Sequence, residues 1–237
     1  LEGTLEPDLN LALARKNGVD IGQSTVEEVQ ATYQFNDLTS FLAVYYPAMD
    51  VLQDEDDFHD LAAAYFERAR ANGVVRAECF FDPQAHTSRG IAIETVIRGY
   101  HRAVVEAREA GLSADLILCF LRDMSAESAL ETLQAALPYK DMFIGVGLDS
   151  DERDNPPTKF AEVFALAREA GLHVTMHCDI DQVGSIDNIR AALIELGAER
   201  LDHGTNIVED PELVAYARDH GIGLTRAPCP TPSSPRR

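Results

Sequence analysis

The sequence predicts an α/β fold with parallel strands, a (β/α)8 TIM barrel in which about six of the eight strands are present, with a helical insertion near the N-terminus. Three observations predict it. Six short apolar runs of strand length are spread along the chain, patterns of helical period separate them, and one helix-ending phrase recurs five times.

The recurring phrase is Ala14-Arg15-Lys16-Asn17-Gly18-Val19, met again from Ala69 to Val74, Ala107 to Leu112, Ala167 to Leu172 and Ala217 to Ile222. Each copy reads as a helix closing on a left-handed glycine, followed by an apolar residue that heads toward a strand. Shared capping chemistry explains the recurrence better than internal duplication. It marks where helices stop.

The apolar runs cover residues 74–81, 115–121, 142–148, 173–177, 200–203 and 221–225. Between them, Ile93, Val96, Ile97, Tyr100 and Val104 fall on one face of a helix, as do Ile186, Ile189, Leu193 and Leu196 further on. Strands that alternate with helices pair in parallel through crossovers and are buried on both faces. A doubly wound open sheet fits the same pattern, but no Gly-rich phosphate loop follows any of these runs, which favours the barrel. Before residue 74, helical stretches near 27–35, 38–46 and 58–71 exceed one connection and suit a rim insertion that covers a pocket.

With 237 residues and 46% hydrophobic content, the chain holds one large core, so one domain is expected over residues 1–225, followed by an irregular Pro/Ser-rich tail over 226–237. Forty acidic residues against twenty basic ones leave a net charge of −20, which repels phosphate backbones and anionic membranes. A nucleic-acid polymer is therefore an unsuitable partner, whereas a small neutral substrate is compatible. The chain opens on Leu1 without a charged segment and apolar run, and no uninterrupted apolar stretch reaches the ~18 residues of a spanning helix. The expectation is a soluble, cytoplasmic protein without membrane contact. Cys79, Cys119, Cys178 and Cys229 have no C-x-x-C spacing and read mainly as small core residues. No motif specifies an oligomeric state.

In a barrel, functional side chains gather at the C-terminal ends of the strands. Here those ends carry Asp82, Asp123, Asp149, His177 with Asp179, and His203. Two histidines closing successive strands, each beside a carboxylate, point to a shared site. H-E-x-x-H, G-x-S-x-G and the P-loop are absent, and Pro228-Cys229-Pro230 does not continue into the paired cysteines of the cytidine-deaminase type.

Several phrases resemble one family. Leu1-Glu2-Gly3-Thr4-Leu5-Glu6-Pro7 is similar to the stretch that follows the H-x-H pair of the adenosine/adenine deaminases, a branch of the metal-dependent amidohydrolases. Phe80-Phe81-Asp82-Pro83-Gln84, Gly145-Val146-Gly147-Leu148-Asp149-Ser150 and Asn155-Pro156-Pro157 resemble the adenine deaminase subgroup, and Asp202-His203-Gly204 resembles the family's histidine turn. The resemblance runs from Leu1 to about Thr225 in family order. It implies hydrolytic deamination of an aminopurine, adenine or else adenosine, with a zinc-activated water attacking C6 and ammonia leaving. It further implies His177 as a metal ligand and His203 as the base or electrostatic partner of that water. Glu2, Gly3, Leu148, Asp149 and Ser150 would then line the substrate pocket.

The sequence departs from the family in three places. The H-x-H pair would precede Leu1, and the late aspartate that completes the zinc site would lie beyond Cys229. The chain is therefore read as lacking both, with Zn2+ at one per complete chain and poorly retained by these 237 residues. Zinc suits the donor types, although iron and manganese are compatible with them too. The third departure is in the acid motif, where His177-Cys178-Asp179-Ile180 stands in place of H-A-G-E, so that Ile180 occupies the glutamate position. Strand alternation puts His177, Asp179 and Asp181 on one face, so Asp179 or Asp181 can supply the ring-nitrogen acid. Asp179 acting only as a loop cap is the competing reading. The rival for the whole chain is a non-catalytic homologue that keeps the barrel and binds a small ligand without turnover.

Overall fold

The computed structural model describes residues 1–34, 38–178 and 183–225. Four helices, α1 (Pro7–Asn17), α2 (Val26–Ala31), α3 (Leu38–Ala48) and α4 (Glu55–Ala71), precede β1 (Arg76–Phe81). Then α5 (Pro83–Thr87) and α6 (Ile93–Glu109) lead to β2 (Ser113–Leu121), α7 (Ala126–Ala136) to β3 (Gly145–Asp149), and α8 (Ala161–Glu169) to β4 (His173–Cys178). Helix α9 (Ser185–Arg190) runs on through a π turn before β5 (Arg200–His203), and α10 (Pro211–His220) precedes β6 (Gly223–Thr225).

All five helix-ending glycines are left-handed, with φ of 65° at Gly18, 79° at Gly73, 90° at Gly111, 82° at Gly171 and 66° at Gly221. In each copy the amide of the next residue returns to the carbonyl five positions back, as in Val19 to Ala14 and Leu112 to Ala107 at 2.9 Å. These are Schellman closures, so the repeated phrase is a repeated hydrogen-bond pattern. It also corrects two strand boundaries. The run beginning at 74 enters β1 only at Arg76, because Val74 still closes the helix, and the run beginning at 221 enters β6 only at Gly223. The stretch expected near 27–35 is shorter among the described residues, since α2 ends at Ala31.

Each strand pairs in parallel with the next, in the order β1 to β6. The sheet is curled. Arg200 on β5 forms an ion pair with Glu78 on β1 and stacks over Phe80 at 5.9 Å. In a flat sheet, strands four positions apart would lie roughly 19 Å from one another. Six parallel strands curled around a shared interior, with helices outside, are the expected incomplete (β/α)8 barrel.

On the outside, Val96, Ile97, Tyr100 and Val104 of α6 are buried, as their spacing predicts. Gly99 lets α6 approach α4, since a Cβ there would stand 2.7 Å from the Phe58 Cβ and 2.5 Å from the Glu55 carbonyl oxygen. Residues 114–121 of β2 are buried throughout, as a strand covered on both faces requires. Among the described residues no helix is long and apolar enough to cross a membrane.

Candidate active site at the C-terminal ends of the strands

Asp82, at the end of β1, is buried and accepts a hydrogen bond from the Tyr45 hydroxyl at 3.2 Å through Oδ2, while its Oδ1 is buried with no partner. Asp149, at the end of β3, also has an unpartnered buried Oδ1. Ligand atoms of Asp82, Asp149 and the buried Cys119 of β2 lie within 4.8 Å of one another. Gly147 makes room for this group, because a Cβ there would stand 2.6 Å from the Cys119 Sγ. Burial, then the Asp149 and Glu2 charges, hold the Asp82 carboxyl well above the ordinary range, and burial pushes Asp149 up to about 6. Carboxylates this close and this dry need a proton or a cation between them.

The backbone turns sharply after Asp149. Ser150 takes φ 70° and Asp154 φ 60°, left-handed values that aspartate adopts readily in turns and that are less common for serine. The Ser150 hydroxyl lies 3.0 Å from that of Tyr46, which ties the turn to α3 on the rim.

His177 is the penultimate residue of β4 and His203 the last of β5, and their rings meet edge to face with centroids 4.9 Å apart. His203 has φ 71°, and its amide donates to the Thr225 hydroxyl at 3.1 Å, which fixes the turn that carries the ring. Nδ1 of His177 lies 2.6 Å from Oε1 of the buried Glu152. That same oxygen pairs with Nη1 of Arg122 at 3.2 Å, and the Arg122 side chain is wholly buried.

The remaining residues predicted from sequence divide by place. Glu2 is buried, and its Oε1 accepts from the Asp82 amide at 3.2 Å and lies 3.0 Å from Nε2 of His86. Gly3 faces the Tyr45 ring, and both residues line a cavity of about 350 Å³ with Tyr33 and Val44. Leu148 points its side chain into the core, so only its main chain faces the turn. Asp123 is exposed, and the buried residue after β2 is Arg122. The strand's last alternation is broken there by a turn, which sends Asp123 outward. Asp179, Ile180 and Asp181 lie outside the described residues, as does the tail from 226.

Sequence reasoning missed Arg122, Glu152, Tyr45 and Tyr46. Arg122 follows β2 directly and Glu152 stands three residues beyond Asp149, positions at which charged residues are ordinarily solvated. Only their burial sets them apart.

A curled set of parallel strands whose C-terminal ends gather two histidines, two dry aspartates and a thiol defines an amidohydrolase-type barrel. The chain belongs to the adenosine deaminase family, whose model matches residues 1–234. It is 52% identical to an adenine deaminase of Geotalea uraniireducens over 96% of this chain and 64% of that protein. Its fold matches the crystal structure of an adenine deaminase from Arthrobacter aurescens with TM-score 0.88 at 45% identity, covering 94% of this chain and 68% of that one. A Burkholderia ambifaria amidohydrolase solved with bound Zn matches at TM-score 0.79 and 29% identity, over 94% of this chain and 62% of that one. The chain thus spans about two thirds of the length of these relatives.

Proposed function

We propose that the protein catalyses hydrolytic deamination of an aminopurine, with adenine as substrate ahead of adenosine, so that adenine and water give hypoxanthine and ammonia. The observation that carries this reading is the His177 and His203 ring pair, 4.9 Å apart at the ends of adjacent strands. Relatives named adenine deaminase, at 52% and 45% identity, support the free base.

The donors at this mouth fit a divalent metal, and the unpartnered oxygens of Asp82 and Asp149 are the physical sign of it. Asp82, Asp149 and Cys119 would offer ligand atoms that lie within 4.8 Å of one another, His177 would add the ligand that the family's motif implies, and zinc is the ion that the donor types and the zinc-bearing relative favour. When bound, the metal supplies a Lewis acid that brings the pKa of water toward ~7. The chain's own residues do the rest. His203 takes a proton from the attacking water, and Asp179 or Asp181 delivers one to the ring nitrogen as C6 becomes tetrahedral. His203 passes its proton to the amino group, which leaves as ammonia, while the C6 hydroxyl returns its proton to the acid as the carbonyl forms. Tyr45, which donates to Asp82, and Tyr46, which is hydrogen-bonded to Ser150, tie the rim helix α3 to the ends of β1 and β3.

The test is ammonia release by the full-length, zinc-loaded protein with adenine, adenosine and N6-substituted adenines. His203→Ala is expected to lower kcat by about 10²-fold or more, with purine affinity changed much less. Full activity in that variant would refute the assignment of His203, and a wild type inactive on every aminopurine would refute the deaminase reading.

A further inference from the structure

The segment 150–160 carries the Asn155-Pro156-Pro157 phrase, and its polar groups converge on one imidazole. Arg122, wholly buried, donates from Nε to the Asn155 carbonyl at 3.0 Å and from Nη1 to the His177 carbonyl at 3.0 Å, and the same Nη1 pairs with Glu152 Oε1 at 3.2 Å. Glu152 Oε1 in turn lies 2.6 Å from Nδ1 of His177. One buried ion pair therefore grips both the main chain and the ring of His177. The segment that presents Glu152 is itself pinned. The Asn155 side-chain amide donates to the carbonyls of Asp151 and Arg153 at 3.1 and 2.8 Å, and Lys159 Nζ donates to Asn155 Oδ1 at 2.8 Å and to the Arg122 carbonyl at 3.0 Å.

We propose that Glu152, held by Arg122, is a positioning residue that fixes the His177 imidazole as its Nδ1–H tautomer and reserves Nε2 for a metal. A carboxylate oxygen can only accept, so at 2.6 Å the proton between these atoms belongs to the imidazole nitrogen. Fixing one ring nitrogen in this way sets the tautomer and orientation of a ligating histidine and raises its basicity. A buried Arg–Glu pair is poor value as stabilisation alone, because desolvation offsets most of the Coulomb gain. Ser150, a left-handed non-glycine residue, precedes Glu152 and is held by its hydroxyl contact with Tyr46 at 3.0 Å.

The inference rests on the metal reading above, and its test separates the two. In the metal-free full-length protein, two-bond ¹H–¹⁵N correlation spectra at a pH where the histidines are neutral, assigned with His177→Gln, are expected to show His177 as Nδ1–H. The double variant Arg122→Met with Glu152→Met removes the acceptor without stranding a buried charge, and it is expected to shift His177 toward Nε2–H. Its Zn2+ affinity, read by competition with a chromophoric chelator, should fall about ten- to hundredfold. Glu152→Gln keeps an acceptor oxygen and is expected to keep the Nδ1–H tautomer. An Nε2–H His177 in the wild type, or an unchanged tautomer in a folded double variant, would overturn the inference. The wild-type spectrum decides even where a variant fails to fold. Nδ1–H in a full-length wild type that takes up no Zn2+ would leave the positioning role standing and remove the metal reading instead.

Discussion

At the N-terminal ends of the strands, Glu78 sits between Arg76 and Arg200, and Asp115 sits between Arg76 and Arg108. At the C-terminal ends of the same strands, Asp82 and Asp149 face one another with buried oxygens that have no partner. Hydrogen bonding to Arg76 holds the Glu78 carboxyl below its usual range, whereas burial drives Asp82 and Asp149 above theirs. The lower end neutralises its acidic groups with arginines, whereas the upper end, beside the Arg122–Glu152 pair, leaves Asp82 and Asp149 with buried oxygens open to a proton, a metal or a substrate. Natural cores keep few such orphans, so their concentration at one end locates the chemistry independently of any motif.

The sharpest way to break this comparison is to remove one arginine from each end. Arg122→Met leaves Glu152 buried and without its cation, and is expected to cost about 3–5 kcal/mol in denaturant unfolding. A cost below 1 kcal/mol would show that the upper pair is as dispensable as a surface bridge.

Next in size is a pH effect of opposite sign at the two ends. Asp149 titrates near 6 in the folded chain, above its unfolded value, so its contribution is fully present below about pH 4 and is lost as pH rises through 6. Glu78 is depressed and behaves in the reverse sense, adding stability above its unfolded pKa that is lost on acidification. Asp149→Asn in the metal-free chain is therefore expected to gain on the order of 2 kcal/mol at pH 7.5 relative to wild type, and nothing at pH 4. Equal unfolding midpoints for the two proteins at both pH values would remove Asp149 from the strained end.

The smallest effect belongs to the lower end. The Arg76 side chain is 46% exposed, so Arg76→Met is expected to cost about 1 kcal/mol or less, and less still in high salt. A loss as large as that of Arg122→Met would show that the lower charges are as critical as the upper ones.

Much of the frame was legible in the chain. The five Ala-Arg phrases foretold five Schellman closures, because capping is settled within six consecutive residues. Strand order followed from alternation, and the ends of β4 and β5 brought forward His177 and His203, whose ring contact follows from adjacency alone. The start of β1 was misjudged because Val74 and Val75 are apolar yet serve a helix closure and an exposed turn, a case in which hydropathy and hydrogen bonding disagree.

By itself, then, the sequence determined the elements, their parallel order and the histidines at the strand ends, since period, capping and alternation act over a few residues. The tertiary structure alone decided which distant residues meet: Glu152 with Arg122 and His177, separated by 30 and 25 positions along the chain, Cys119 with Asp82 and Asp149, and Arg200 with Glu78 across the curled sheet. Such encounters depend on how far the sheet bends and how deeply each side chain is sealed from water. Those quantities arise from the packing of the whole barrel, and no local stretch of residues carries them.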